Sequence, residues 1–384
     1  MFALDKMNSG LFIYRKVEQK MEQHQKFMER AIELAKKGIG KVNPNPLVGA
    51  VVVKDGEIIG EGYHFKAGMP HAERVALANC RKSVENATLY VTLEPCCHQG
   101  RTPPCTDAII ENKISKVVIG SSDPNPLVAG KGVEILKNHH IQVEEGCMRE
   151  ACDALNEIFF HYIKTKRPYV IMKYGMTADG KIATVKGFSK WITSEESRKE
   201  VHQTRKMVSG IMVGVETVLQ DNPMLDCRIE DPSQPVRIVC DSHLRTPLTS
   251  NVVVTANEIP TWIATVEERN EKWDALQAYG VKIIQTKKEQ EQIDLLDLMK
   301  QLGEAEIDSI LLEGGGTLNF SALSAGIVSK LHIYIAPKIF GGENAKTPVA
   351  GKGIDQVADA FLLSEKKVRF FGDDIFLTFR IKEK

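Results

Sequence analysis

Three short segments of this chain each set a metal-grade ligand beside a proline, and any fold it adopts must be able to bring them to one point. They are Pro70-His71-Ala-Glu73, Glu94-Pro-Cys96 and Pro104-Cys105. One imidazole nitrogen and two thiolates are three good zinc ligands, and a tetrahedral ion held by three leaves its fourth position to water. Zinc lowers the pKa of such a water towards neutral. A carboxylate alongside can take its proton and hand it to a leaving amine. Glu73, two residues after His71, suits that task without being a ligand. Pro70 places His71 at a helix start, Cys96 follows a strand, and Cys105 opens the next helix, where the helix dipole favours thiolate. Cys97 and His98 keep a second option open, since either one as fourth ligand would close the site into a structural staple.

The rest of the composition narrows the setting. The eight cysteines, in 384 residues without an export signal, do not read as a disulfide framework. Leu11–Tyr14 is too short an apolar core for a secretory signal, and no run approaches the ~18 residues of a membrane span. The expected location is therefore cytoplasmic, with no membrane partner. Lys+Arg and Asp+Glu both number 50, so the formal net charge is zero. That argues against a broadly basic nucleic-acid binder. The expected partners are small molecules.

Periodicity divides the chain. Residues 1–22 lack an apolar face and read as a mobile extension, with Met7 and Met21 as alternative starts. A helical period begins at Phe27. Leu47–Val53 and Ile58–Tyr63 read as a hairpin around Lys54-Asp-Gly56. Helix and strand then alternate: helices over His71–Arg81, Cys105–Asn112 and Lys131–Lys137, strands over Ala87–Leu93, Lys116–Ile119 and Ile141–Glu144. One helix is expected over Arg149–Ile163, and Lys164-Thr-Lys-Arg-Pro168 ends this first α/β domain, 23–167. A second rhythm fills 168–384. Its strands are expected at Tyr169–Lys173, Gly210–Val213, Val236–Val239, Thr261–Ala264, Lys282–Ile284, Ser309–Leu312 and Lys330–Ile335, with a closing hairpin around Gly372-Asp-Asp.

The second half has no Gly-x-Gly-x-x-Gly between strand and helix. Instead, Ile310-Leu-Leu-Glu-Gly-Gly-Gly-Thr-Leu-Asn319 runs from an apolar strand through three glycines into a helix. Such a turn lets a phosphate approach the backbone at a helix start, although an unliganded tight turn would use glycine too.

The nucleobase-deaminase signature joins His-x-Glu to Pro-Cys-x-x-Cys, but here eight residues separate Cys96 from Cys105. This longer spacing resembles that of the bifunctional riboflavin-biosynthesis deaminase–reductases. The likeness extends to Asn43-Pro-Asn-Pro-Leu-Val-Gly49, Gly100-Arg-Thr-Pro-Pro-Cys105, Asp123-Pro-Asn-Pro-Leu-Val-Ala-Gly130, Asp179-Gly-Lys-Ile-Ala183, Ser189-Lys-Trp-Ile-Thr-Ser194 and Glu313-Gly-Gly-Gly316. It implies a cytidine-deaminase-like three-layer domain followed by a dihydrofolate-reductase-like α/β domain.

The resemblance also implies chemistry. His71, Cys96 and Cys105 would bind one zinc per chain, and Glu73 would shuttle the proton. The first substrate would be 2,5-diamino-6-ribosylamino-4(3H)-pyrimidinone 5′-phosphate, with Asn45, His98 and Arg101 as contacts. The second domain would reduce the ribosyl chain with NADPH. Cofactor contacts map onto Gly175, Trp191, Thr217, Asp221 and the run Gly315, Gly316, Thr317, Leu318, Asn319, Phe320 and Ser321. Substrate contacts map onto Lys173, Ser189, Arg205, Leu225, Arg228 and Glu313, the two arginines suiting the 5′-phosphate. A homo-oligomer, dimer or tetramer, is implied as well. Each has a plainer reading beside it: Asn45 and Asp221 as turn residues, His98 and Arg101 as exposed loop, Trp191 as core, Arg205 as a solvated charge, and Glu313 as a strand end facing water. The rival functions are a nucleic-acid adenosine or cytidine deaminase and a nucleotide-binding regulatory protein with a structural zinc.

Overall fold

A computed structural model of the chain describes residues 21–99 and 102–382. The extension expected over 1–22 lies outside it as far as residue 20. Residues 21 and 22 already belong to the first helix, described over 21–36 (α1). Packing divides the chain into two compact units that meet between Lys164 and Thr165 in sequence.

The first unit opens with the expected hairpin, β1 (Gly49–Lys54) and β2 (Glu57–Tyr63). Asp55 and Gly56 both take positive φ, 51° and 79°, as a two-residue turn that matches strand twist requires. Helix α2 (Ala72–Ala78), β3 (Thr88–Leu93), α3 (Cys105–Glu111), β4 (Lys116–Ser121), α4 (Lys131–Asn138) and β5 (Gln142–Glu145) follow. The sheet order is β2-β1-β3-β4-β5, with β3, β4 and β5 parallel. Alternating residues explain the three layers. Val52, Leu89, Val91, Val117 and Ile119 pack on Ala76, Ile109 and Leu136 of the helices on one face. Val51, Val53, Tyr90 and Val118 meet Phe27, Met28 and Ala31 of α1 on the other. At Gly62 a Cβ would sit 2.4 Å from Ala76 N and 2.5 Å from Ala72 O, so only glycine lets α2 press this closely onto β2.

One expected helix is two. Arg149–Leu155 (α5) and Glu157–Thr165 (α6) are separated at Asn156. The Asn156 side chain is buried and pairs with the backbone of Leu47, accepting from its N–H at 2.8 Å and donating to its carbonyl at 3.0 Å. An asparagine that bonds a distant backbone segment interrupts a helix that periodicity alone would continue.

The second unit is built on β6 (Tyr169–Thr177), α7 (Glu195–Met207), β7 (Gly210–Gly214), α8 (Val215–Asp221), β8 (Val236–Cys240), α9 (Asn251–Val254), β9 (Thr261–Thr265), α10 (Glu271–Ala278) and β10 (Lys282–Gln285). A small pair, β11 (Lys288–Glu289) and β12 (Gln292–Ile293), precedes α11 (Leu295–Glu304). Then come β13 (Ser309–Leu312), α12 (Gly316–Ser324), β14 (Val328–Ala336), β15 (Leu363–Phe371) and β16 (Asp374–Ile381). The large sheet runs β10-β9-β8-β7-β13-β6-β14-β16-β15. It is parallel as far as β14, and the last two strands are antiparallel. Strand β13 slots between β6 and β7, so its carboxyl end and that of β6 lie side by side where the winding reverses. In α/β sheets that is where ligands bind. The short helices α8 and α9 were not expected.

Candidate functional site

In the first unit, three ligand atoms converge. His71 Nδ1 lies 3.4 Å from Cys96 Sγ and 3.4 Å from Cys105 Sγ, and all three ligand atoms fall within 4.8 Å of one another. The placement follows from local structure. His71 is the extended residue that precedes α2, its side chain not used as a cap. Cys105 is the first residue of α3 and is fully buried. The Cys96 carbonyl accepts from the backbone of Cys105 at 3.0 Å and Thr106 at 3.2 Å, which fastens one cysteine loop onto the other. Arg74 of α2 ties the third segment in, donating to the carbonyls of Pro103 (3.2 Å) and Pro104 (2.7 Å). The far nitrogen of His71, Nε2, lies 3.3 Å from Thr102 Oγ1, a contact that orients the ring and leaves Nδ1 to the sulfurs.

Electrostatics separates the thiols. Hydrogen bonding with Cys105 draws the Cys96 thiol down to about 4, with His71 adding to the effect against burial. The same contact pushes Cys105 up. Its hydrogen bond with Cys96 raises His71. Glu73 is buried in the first turn of α2, and that burial raises its carboxyl, with Cys96 adding.

The closed alternative finds no fourth ligand among the described residues. The Cys97 thiol points to the Leu127 carbonyl, 3.7 Å away. His98 is outside the ligand group, and its Nδ1 is buried without a hydrogen-bond partner. Arg101 lies outside the described residues. Asn45 is brought to the site rather than merely turning the chain: its Nδ2 lies 3.2 Å from His64 Nε2. His64 Nδ1 in turn is 3.3 Å from the Pro70 carbonyl, with its ring 5.3 Å from that of His71. His64 and Arg74 carry no sequence signal, since neither belongs to a ligand spacing, and Thr102 is marked only as part of the Gly100–Cys105 run. Glu94 is buried and accepts from the backbone N–H groups of Asp123, Gly130 and Val133. That clamp relates Glu94-Pro-Cys96 to the distant Asp123–Gly130 run.

In the second unit, Glu313 is the centre. It follows β13 directly and receives Arg205 of α7 in a two-pronged pair, Nε to Oε1 at 2.8 Å and Nη2 to Oε2 at 3.0 Å. Lys173 of β6 stands 3.7 Å from Oε2. Burial would raise the Glu313 carboxyl, but Arg205 and Lys173 outweigh it and hold it at about 2. Glu313 is thus a paired, largely shielded anion and not a water-facing strand end, and Arg205 is its equally shielded partner and not a solvated charge, each side chain 12% exposed. A further N–H of Arg205 donates to the Asp226 carbonyl at 2.8 Å. Arg228 is largely exposed, 3.3 Å from Asp226 Oδ1. Leu225, immediately before Asp226 in the same loop, is buried with φ 51°.

The other expected contacts are spread over neighbouring turns. Gly175 lies two residues beyond Lys173 on the same face of β6. Trp191 is exposed with the Arg198 guanidinium 4.6 Å from its ring centre, so it does not fill the core. Ser189 precedes it, half-buried. Thr217 and Asp221 are on α8, Asp221 exposed at its end. In the glycine turn, a Cβ on Gly316 would meet Thr347 O at 2.7 Å, whereas one on Gly315 would meet nothing within 4 Å. The open side of the turn is therefore at Gly315 and the exposed Thr317. Leu318, Asn319 and Phe320 lie against Gly214, Pro348 and Gly351, respectively, and Ser321 is exposed.

Comparison with known proteins separates the units in the same way. The cytidine and deoxycytidylate deaminase zinc-binding region matches residues 21–121, and the RibD C-terminal domain matches residues 168–377. The riboflavin biosynthesis protein RibD of Actinobacillus pleuropneumoniae is 58% identical over 92% of this chain and 94% of its own. The chain belongs to the RibD family. RibD of Escherichia coli K12 is 39% identical over 92% of this chain and 98% of its own length. Among solved structures, Acinetobacter baumannii RibD (form 1) superposes with a TM-score of 0.84 at 36% identity, covering 94% of this chain and all of that one. The Thermotoga maritima diaminohydroxyphosphoribosylaminopyrimidine deaminase/5-amino-6-(5-phosphoribosylamino)uracil reductase gives 0.85 at 40% identity, with the same coverage. As a RibD chain, it is a deaminase and reductase of riboflavin biosynthesis. That sets aside a nucleic-acid deaminase and a regulatory protein with a structural zinc. No helix among the described residues is long and apolar enough to cross a membrane.

Proposed function

We propose that the first unit removes the 2-amino group of 2,5-diamino-6-ribosylamino-4(3H)-pyrimidinone 5′-phosphate as ammonia, and that the second reduces the ribosyl side chain to ribityl. The observation that carries the reading is one RibD chain holding both a three-ligand group with a buried carboxylate beside it and a partly buried Glu313–Arg205–Lys173 cluster at the sheet's winding reversal.

The donor set of one imidazole and two thiols fits zinc and not a hard cation such as magnesium. His71, Cys96 and Cys105 would hold it. Bound there, zinc supplies Lewis acidity and a nucleophilic water near neutral pH. Glu73 takes the proton from that water and delivers it to the departing amine. Its burial suits the task, because a carboxyl pushed up towards neutrality both accepts and releases a proton readily. Asn45, oriented by His64, contacts the pyrimidine, and His98 and Arg101 complete its binding.

In the second unit, NADPH supplies the hydride. Gly175, Trp191, Thr217, Asp221 and the Gly315–Ser321 run receive the cofactor. Glu313, fixed by Arg205, accepts from sugar hydroxyls, and Lys173 donates to them. Ser189 and Leu225 line the substrate, and the exposed Arg228 takes its phosphate, with Arg205 anchoring Glu313 as well as facing the ligand. The protein's contribution is alignment of donor and acceptor carbons. The reading extends to a homo-oligomer, dimer or tetramer, working in the cytoplasm; sedimentation of the purified chain checks the first part.

Incubating zinc-loaded protein with the diaminopyrimidinone and NADPH tests both steps at once. Ammonia should appear and NADPH absorbance should fall. Ammonia without NADPH oxidation refutes the second half.

A further inference from the structure

Strand β14 carries two buried polar atoms that no neighbour satisfies, His332 Nδ1 and Tyr334 OH. Folded proteins rarely keep such groups without a reason. The two residues are two positions apart, so their side chains share a face. It is the face covered by α7. Tyr334 packs with Val201 and Phe376, its ring 4.6 Å from that of Phe376, and His332 stands edge-on to the same phenyl ring at 5.2 Å.

The ladder gives these atoms a context. In the pairing of β14 with β6, His332 is opposite Lys173 and Tyr334 is opposite Gly175. On the other side of β6, Leu312 of β13 is opposite Met172, which puts Glu313 next to Lys173. Adjacent strands are ~4.8 Å apart, within easy reach of a lysine. Lys173 therefore has Glu313 beside it from one flanking strand and His332 opposite it on the other. Its 3.7 Å contact with Glu313 is longer than a hydrogen bond, and both Glu313 oxygens already accept from Arg205. Burial, with Lys330, Arg369 and Lys173 adding, pushes the His332 imidazole down to about 3. The ring is neutral, and in the tautomer protonated at Nε2 it offers the Nδ1 lone pair.

Resting on the reductase reading above, we infer that His332 is a positioning residue of the reductase centre, whose Nδ1 is the second seat of the Lys173 ammonium. The lysine takes that seat when a sugar hydroxyl occupies Glu313. One N–H then goes to His332 and the others stay aimed at the substrate. Without the imidazole, the ammonium has no fixed direction once Glu313 is engaged.

The test uses the full-length, zinc-loaded chain, assayed for reduction with the deaminated intermediate so that the zinc step does not intervene. His332→Leu should lose about tenfold in kcat, the worth of one hydrogen bond. The KM for NADPH and ammonia release should be unchanged, and the melting temperature equal or higher, because an unsatisfied buried group is gone. His332→Asn, which restores an acceptor, should recover most of the loss. Tyr334→Phe is the control: it removes the other unsatisfied atom, whose ladder neighbour Gly175 has no side chain to position. It should keep kcat within about twofold, the ordinary scatter of a neutral change. Full kcat in His332→Leu overturns the inference. So do equal losses in His332→Leu and His332→Asn with lowered melting, or a matching loss in Tyr334→Phe. Wild-type protein that reduces nothing would instead remove the reductase reading, and this inference with it.

Discussion

In the first unit, each candidate zinc ligand comes from a loop end or a helix start. His71 precedes α2, Cys96 follows β3 and Cys105 begins α3, and backbone hydrogen bonds fasten the loops together. In the second unit, the charged centre is assembled across elements. Glu313 follows β13, Lys173 lies on β6 and Arg205 on α7, with Arg205 and Glu313 108 positions apart. The first arrangement is carried by short motifs and needs an ion to bind its thiolates. The second is carried by strand register and pairs its carboxylate internally, with two cations around one anion. Side-chain loss should therefore act through chemistry in the first unit and through stability as well as chemistry in the second.

The largest contrast should come from Glu73→Ala. Ammonia release should fall by about 10²–10⁴, the range for loss of a general acid–base group, while zinc content, and NADPH oxidation when the deaminated intermediate is supplied, stay at wild-type levels. Metal loss in that variant, read by elemental analysis, would place Glu73 among the ligands and blur the comparison.

Arg205→Ala attacks the other unit. It leaves Glu313 buried and charged without its main partner, a defect of about 3–5 kcal/mol. Urea unfolding followed by a probe in the second unit should shift accordingly, with zinc binding and ammonia release retained. An unshifted transition would show that Lys173 alone suffices.

Arg74→Ala asks whether the first site relies on its second layer. Loss of the bonds to Pro103 and Pro104 should weaken zinc affinity by about 10–100-fold, measured by competition with a chelator. Turnover at saturating zinc should be largely preserved.

The smallest effect near neutrality is in pH. The Glu313 carboxyl is held at about 2 against an ordinary 4.5. The folded value lies below the unfolded one, so the stabilisation is complete above 4.5 and disappears as the pH falls through about 2. The urea midpoint of the second unit should be insensitive to this group from pH 7 to 5 and fall below 4.5. Glu313→Gln should flatten that acid slope, and an unchanged slope would assign it to other carboxylates.

Sequence reached further into the first site than into the second for the same reason. A proline beside each ligand, the His-x-Glu spacing and the cysteine pair are local marks, so His71, Glu73, Cys96 and Cys105 could be assembled before any coordinates. The hairpin turn at Asp55-Gly56 and most strands were legible too, because alternation and glycine punctuation are properties of neighbours in sequence. Asn156 was not, since the partner that makes it break a helix is the backbone of Leu47. Nor was His64, whose position near His71 depends on where β2 ends in space. Glu313 and Arg205 were both marked as substrate contacts, but nothing in either segment said that they hold each other.

What the amino-acid order determined by itself was the ligand inventory, the two successive α/β rhythms and the glycine turn after β13, because each rests on chemistry or geometry within a few residues. What only the tertiary structure decided was which residues come together: Arg205 with Glu313, Arg74 with the carbonyls of Pro103 and Pro104, and His332 opposite Lys173 in the β14–β6 ladder. Those pairings follow from strand order and register, and register is settled by the packing of the whole sheet.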